Sequence, residues 1–155
     1  DLYHGSGFLT TTIPSKQTYT GQFRHHKKHG VGKLTLDTSN FIGEFKDNKR
    51  NGVGILRDSK DRIVKGIYFN GTLQDWGFVK QLDQNYEYRG QFEKGLFEGI
   101  GEERSGMQKY IGHWKHGEKN GVGFLRLLDA KGRSKDSVLD CLTLRSCQIP
   151  WAVHR

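Results

Sequence analysis

Apolar positions in this chain alternate about glycine. Tyr19-x-Gly21-x-Phe23, Phe41-x-Gly43-x-Phe45, Tyr88-x-Gly90-x-Phe92 and Tyr110-x-Gly112-x-Trp114 each place two aromatics at i and i+4 around a Gly at i+2. On a strand these positions share one face, so each segment predicts a strand. Nine residues after its first Gly, each segment reaches a Gly-x-Gly that opens a returning strand: Gly30 and Gly32, Gly52 and Gly54, Gly99 and Gly101, Gly121 and Gly123. A worn copy, Val64-x-Gly66-x-Tyr68 leading to Asp75-Trp76-Gly77, lies mid-chain, and His4-Gly5-Ser6-Gly7 reads as the tail of another. Successive first glycines lie 22, 23, 24 and 22 residues apart, a period that predicts an array of stacked units.

Between its two strands each repeat must reverse. The position five residues after the first Gly reads His26, Asn48, Gly71, Gly95 and Gly117. Gly and Asn tolerate positive φ, so this position predicts the left-handed corner of a hairpin turn. His26 breaks the pattern, which predicts a first hairpin that is more strained or differently turned. A lone hairpin is marginal in water, so stability must come from stacking. The Gly between two same-face aromatics makes sense if a neighbouring ring lies over it, which predicts continuous aromatic rows. In the worn copy, Val64, Asp75 and Trp76 replace an aromatic, a Gly and a small apolar residue, and predict a local kink or a specialised contact.

The pattern resembles the membrane occupation and recognition nexus (MORN) repeat over about residues 3 to 128. The resemblance implies an all-β fold, an elongated single-layer antiparallel sheet of successive hairpins. Residues 1–128 form the expected array, a partial first repeat followed by repeats starting near 19, 41, 64, 88 and 110. Residues 129–155 are expected to cap the last repeat or to link it to a further domain. Asp136 to Cys147 is open between a short helix and a strand.

Composition sharpens this reading. The 155 residues include 21 glycines, most of them in register with the repeat, and only Ala130 and Ala152 as alanines, which disfavours helix. No segment approaches the length of a membrane span, and the N-terminus lacks a basic-then-apolar signal pattern, which predicts a soluble chain. The only Met is Met107, and the first residues already lie inside a repeat, as expected of a piece of a longer protein. Cys141 and Cys147 are too few and too local for a disulfide framework or a zinc site, so a cytoplasmic or nuclear setting is expected. Asn70-Gly71-Thr72 has the form of a glycosylation sequon, and the turn position of Gly71 explains it.

The formal net charge is +8. Basic residues concentrate at predicted hairpin tips, and stacking in register would align these tips along one edge. Lys27, Lys28, Lys49, Arg50 and Lys119, with Trp76, are the candidate partner or lipid contacts. The tips at Gly71 and Gly95 are hardly basic, so the stripe is interrupted. His25, His26 and His29, like His113 and His116, invite a metal reading, but His29 shares with Asn51, Glu98 and Asn120 a repeat position that accepts several polar residues, so no metal is expected. Gly30-Val31-Gly32-Lys33 lacks the flanking residues of a phosphate loop, since Lys27 and Leu34 stand where Gly and Ser or Thr are needed. No catalytic constellation and no cofactor site are expected.

The leading expectation is a non-catalytic protein–protein interaction scaffold, with exposed aromatics on one sheet face as anchors. Resemblance to the family adds a bias toward cytoskeletal, ciliary or membrane–cytoskeleton assemblies. The alternatives are a peripheral module binding anionic phospholipid through the basic tips, and an accessory module of a larger enzyme. Open sheet ends allow a homodimer or end-to-end self-association, and no nucleic acid is expected.

Overall fold

The computed structural model describes residues 4–12, 16–128 and 133–141. They form twelve strands in one open antiparallel sheet whose spatial order is the chain order. The strands are β1 (Gly5–Thr11), β2 (Gln17–Arg24), β3 (Lys27–Leu36), β4 (Ser39–Lys46), β5 (Lys49–Asp58), β6 (Arg62–Phe69), β7 (Thr72–Gln81), β8 (Tyr86–Glu93), β9 (Leu96–Ser105), β10 (Gln108–Lys115), β11 (Glu118–Leu128) and β12 (Ser134–Cys141). Of the ambiguous segment Asp136 to Cys147, the part through Cys141 belongs to the strand Ser134–Cys141 paired to β11, and residues 142–147 lie outside the described residues. Ser137, Leu139 and Cys141 stand at the register positions that the aromatic, Gly and aromatic hold in the preceding outgoing strands. Ile149 and Trp151, further candidates for a cap, lie outside the described residues.

The glycines set the register. Gly21, Gly32, Gly43, Gly54, Gly66, Gly77, Gly90, Gly101, Gly112 and Gly123 pair successively across the sheet, and Gly7 joins them opposite Gly21. The opening His4-Gly5-Ser6-Gly7 thus puts Gly7 in the glycine row, at the place the second Gly of a Gly-x-Gly holds in the later hairpins.

All five tips share one turn. Both central residues have positive φ: His25 and His26 at 49° and 61°, Asp47 and Asn48 at 48° and 71°, Asn70 and Gly71 at 52° and 94°, Lys94 and Gly95 at 51° and 82°, His116 and Gly117 at 52° and 88°. This is the two-residue I′ turn, whose twist matches that of the flanking strands. The first hairpin is therefore not differently turned, and the alternative that stays open is strain, since His25 and His26 both hold positive φ. Histidine enters the left-handed region more readily than most residues, and the register on either side dictates the turn.

Beyond each tip the returning strand carries a bulge, where the register slips between Gly21 and Phe23 and at the matching points of the other repeats. The first Gly of Gly-x-Gly sits in that bulge with positive φ, as at Gly30 (63°) and Gly99 (59°). Asp75 adopts the same conformation at 55°, so the worn repeat keeps the bulge and the register runs through it without a kink.

One face of the sheet holds the core. Tyr19, Phe41, Phe45, Tyr68, Tyr88, Phe92, Tyr110 and Trp114 are buried there with Val64, Leu73, Val79 and Leu125. The first aromatic of an intact repeat lies over its own hairpin's glycines. A Cβ at Gly43 would stand 2.5 Å from the Val53 carbonyl oxygen and 2.8 Å from Phe41 Cζ, and one at Gly54 would enter the Phe41 ring. The covering ring thus comes from the glycine's own repeat, two residues upstream.

Rings then meet edge to face between repeats, Tyr19 with Phe45 at 5.1 Å, Phe41 with Tyr68 at 5.0 Å and Tyr88 with Trp114 at 5.1 Å. The expected continuous row is broken at Val64. There Leu73 covers Gly66 and Phe92 covers Gly77, so the worn repeat divides the rings into two runs without disturbing the backbone.

Candidate interaction surfaces

Three surfaces follow from this frame: the tip edge, the aromatic face and the opposite, outer face. Along the tip edge each turn after the first donates a backbone hydrogen bond to the preceding hairpin. Asn48 N–H reaches Lys28 O at 3.0 Å, Gly71 N–H reaches Arg50 O at 2.9 Å, and Gly95 and Gly117 repeat the bond to Leu73 and Phe97 at 2.9 Å. The tips therefore align as expected from stacking. Lys27 and Lys49 are exposed on this edge, and Lys27 stands 3.8 Å from Asp47. The same tip position is held by Thr72, Leu96 and Glu118 in the later repeats.

Lys28, Arg50 and Lys119 do not belong to the tip stripe. Each lies opposite the second aromatic of its hairpin, turned onto the aromatic face. Lys28 Nζ lies 5.6 Å from the Tyr19 ring centre, and burial lowers its pKa. Arg50 covers Phe41 and Tyr68 at 5.4 and 5.5 Å. Lys119 stands over Tyr110 at 5.0 Å and pairs with Glu103. The other two repeats put Leu73 and Phe97 in this position, the latter stacked on Tyr88 at 3.7 Å. The five residues are lids over the core, and cation and hydrocarbon serve alike because a ring face accepts either.

The aromatic face is further closed by the tyrosine hydroxyls. Tyr19, Tyr88 and Tyr110 donate to the carbonyls of Gln22, Gln91 and His113 at 2.9, 3.1 and 3.2 Å. Gln22, Glu44 and Gln91 in turn accept from the bulge N–H groups of Val31, Val53 and Ile100. Glu103 occupies a row otherwise filled by Leu34, Leu56, Val79 and Leu125. Burial and the adjoining Glu103 carboxylate together push the Tyr86 phenol well above its ordinary range.

The repeat aromatics are consequently interior, and the expectation that they serve as exposed anchors fails. A set of exposed apolar side chains lies on the outer face. Val31, Val53, Ile100 and Val122, which stand between the two glycines of Gly-x-Gly, point there, as does Trp76 between Asp75 and Gly77, and Trp76 is 60% exposed. Beside them run the cross-strand pairs Ile42 with Ile55, Val53 with Ile67, and Ile111 with Phe124. A charged row borders them, with Lys80 on Glu87 at 2.7 Å, Lys109 on Glu102 at 3.1 Å, and Arg126 forked on Asp136 at 2.8 and 2.9 Å. Of the sequence candidates Trp76 lies in the middle of this face, and Lys27 and Lys49 stand at its tip margin. The missed members could have been found by alternation, since Ile42 and Ile111 directly precede the outgoing glycines and are out of phase with the buried aromatics.

The family model of the MORN repeat matches residues 19–40, 41–60, 88–107 and 110–127. This chain belongs to the MORN repeat family. The third hairpin falls between the matched MORN segments, where Val64 and Asp75 depart from the pattern, yet it is built like the others. The first and last strands extend the MORN sheet beyond the matched segments at both ends. Nothing among the curated proteins matches the chain.

A MORN array is an interaction module for proteins or membranes, and the repeat fold is typically non-catalytic. Among the described residues no three His, Cys, Asp or Glu side chains gather as a metal site, and no helix is long and apolar enough to cross a membrane.

Proposed function

We propose that this chain is a non-catalytic scaffold that binds other proteins through its outer face. The observation that carries this reading is the division of labour between faces. The aromatic side is sealed by its own lids, whereas the outer side exposes Val53, Ile55, Trp76, Ile100 and Phe124 at fixed spacings. Apolar side chains left in water beside ion-paired borders form the core-and-rim arrangement of protein interfaces. The tip edge offers less to a membrane. Each basic residue near an anionic bilayer contributes about 1 kcal/mol, and Lys28, Arg50 and Lys119 are engaged with rings. Cytoskeletal, ciliary or membrane–cytoskeleton assemblies are the settings that family membership favours.

The test compares two variants of the chain. One carries Ile55→Ser, Trp76→Ser and Phe124→Ser on the outer face, the other Lys27→Ser and Lys49→Ser at the tips. In capture from the source cell with mass spectrometry, the first is expected to lose its specific partners and the second to keep them. Salt-sensitive sedimentation with phosphatidylserine vesicles that the tip variant abolishes would overturn the proposal in favour of lipid.

A further inference from the structure

The outer face changes character along the array. On β7–β11 it carries ion pairs, with Lys80 on Glu87 and with Arg104 and Lys109 both on Glu102. On β3–β6 alternation turns Lys33, Lys46, Lys49, Arg57 and Lys65 outward, and all five are exposed. Among the described residues none of these five forms an ion pair. The one carboxylate that alternation places outward on these four strands is Glu44, and it accepts from the Val53 N–H at 3.3 Å. Lys46 stands directly opposite Lys49, where the last repeat sets Lys115 opposite Glu118. Like charges in that relation destabilise a sheet, so the pair does nothing for the fold.

These cations frame an apolar patch. The register runs Lys33, Ile42, Ile55, Lys65 across four neighbouring strands, and Val53 lies beside Ile67 in the next row. Ile42, Ile55, Val53 and Ile67 are exposed. Neighbouring strands lie about 4.8 Å apart, so the two lysines stand about 14 Å from each other with the isoleucines between them. Arg57 borders the patch on the side away from the tips, and Lys46 and Lys49 border it on the tip side. The face of a sheet offers no main-chain partners, since its N–H and C=O groups are used within the ladder. Whatever lies there must satisfy its own backbone, as a helix does.

We propose that this basic half of the outer face, on β3–β6, is the docking site for an acidic amphipathic helix of a partner protein. The site lies within the outer face already proposed as the binding surface of the scaffold, and it rests on that reading. The helix crosses the strands with its apolar stripe on Ile42 and Ile55, whose spacing of about 4.8 Å is close to the helical pitch of about 5.4 Å. Asp and Glu bordering the stripe meet Lys33, Arg57 and Lys65, and the unpaired positive charge steers the approach. A second copy of this chain, at a formal net charge of +8, is repelled from the same surface.

The probe is a pair of synthetic peptides of about 18 residues, long enough to hold a helix. Both carry one leucine stripe, bordered by Glu in the first and by Lys in the second. Each is added to the full 155-residue chain, and isoleucine methyl resonances report the site. The Glu peptide is expected to shift Ile42, Ile55 and Ile67 and to leave Ile111 in place, and the Lys peptide to shift none of them. Lys33→Glu, Arg57→Glu and Lys65→Glu together should weaken the Glu peptide roughly tenfold and bring the Lys peptide onto the same methyls. An unfolded chain cannot exchange its preference in this way. No shift from the Glu peptide, equal shifts from both peptides, or a charge-reversed chain that still prefers Glu would each overturn the proposal. So would phosphatidylserine vesicles that move the same methyls when the Glu peptide does not, which would assign the patch to a membrane. Shifts centred on Ile100 and Ile111 would overturn it while leaving the outer-face scaffold intact, and the capture experiment above tests that scaffold by itself.

Discussion

The Phe41 ring lies on Gly54 across its hairpin, with Phe45 edge-on at 5.3 Å on one side and Tyr68 at 5.0 Å on the other. A side chain at Gly54 would therefore have to displace a ring held by two others. Gly54→Ala and Gly43→Val are each expected to lower stability by about 1–3 kcal/mol, whereas Gly71→Ala meets no atom within 4 Å and its cost comes from the turn alone. Urea denaturation of the three variants checks the ranking, and an undiminished Gly43→Val would sink the stacked-hairpin account.

Lid positions give a second test. Because Leu73 and Phe97 stand where other repeats place Lys28, Arg50 and Lys119, Arg50→Leu should stay within about 1 kcal/mol of the parent. Leu73→Ala removes the side chain that plugs the gap left by Val64, and about 2–4 kcal/mol should be lost. Thermal melting distinguishes the two outcomes.

Alkaline unfolding is a third. Tyr19, Tyr68, Tyr86, Tyr88 and Tyr110 have pKa values raised by burial above the ordinary 10.0. Above pH 10 the unfolded chain gives up protons that the folded chain keeps, so stability is full below pH 10 and falls as pH rises toward the folded values. Denaturation midpoints from pH 8 to 11 should trace that fall. Tyr88→Phe should flatten it, at a cost of about 1 kcal/mol at neutral pH for the lost bond to Gln91.

At the far end of the sheet, removal of residues 129–155 takes β12 off β11 and uncovers an edge of eleven residues. Concentration-dependent self-association is expected by light scattering. A truncated chain as monodisperse as its parent would show that β12 is not what keeps the β11 edge from pairing.

The hairpins were legible because Tyr-x-Gly-x-Phe can put its three marked residues on one face only as a strand, and the recurring glycines carried the register with them. Less legible were the lids. Lys28 and Arg50 carry charge and sit next to turns, which reads as solvent, while their stems and ring contacts belong to the core. The mixture of Lys, Arg, Leu, Phe and Lys at one repeat position was the available sign that burial and not charge is shared there. Asp75 misled in the opposite sense: its sequence departs from Gly, but its backbone does not.

The lacing of the tips has a consequence for how such a surface can diversify. A matching ladder joins the opposite margin, where Ser59 N–H reaches Thr38 O at 2.8 Å and Leu128 N–H reaches Met107 O at 2.9 Å. Most β proteins vary their recognition by lengthening loops, but at the tips an inserted residue would break contacts with the preceding turn and shift the next. Loop length is frozen along the tip edge, where all five turns have two residues, and the connections of the opposite margin between β3 and β10 take up the variation, with two to four residues. What remains free is the identity of side chains at evenly spaced points, so the molecule works as a ruler whose markings can be exchanged while the distances between them cannot.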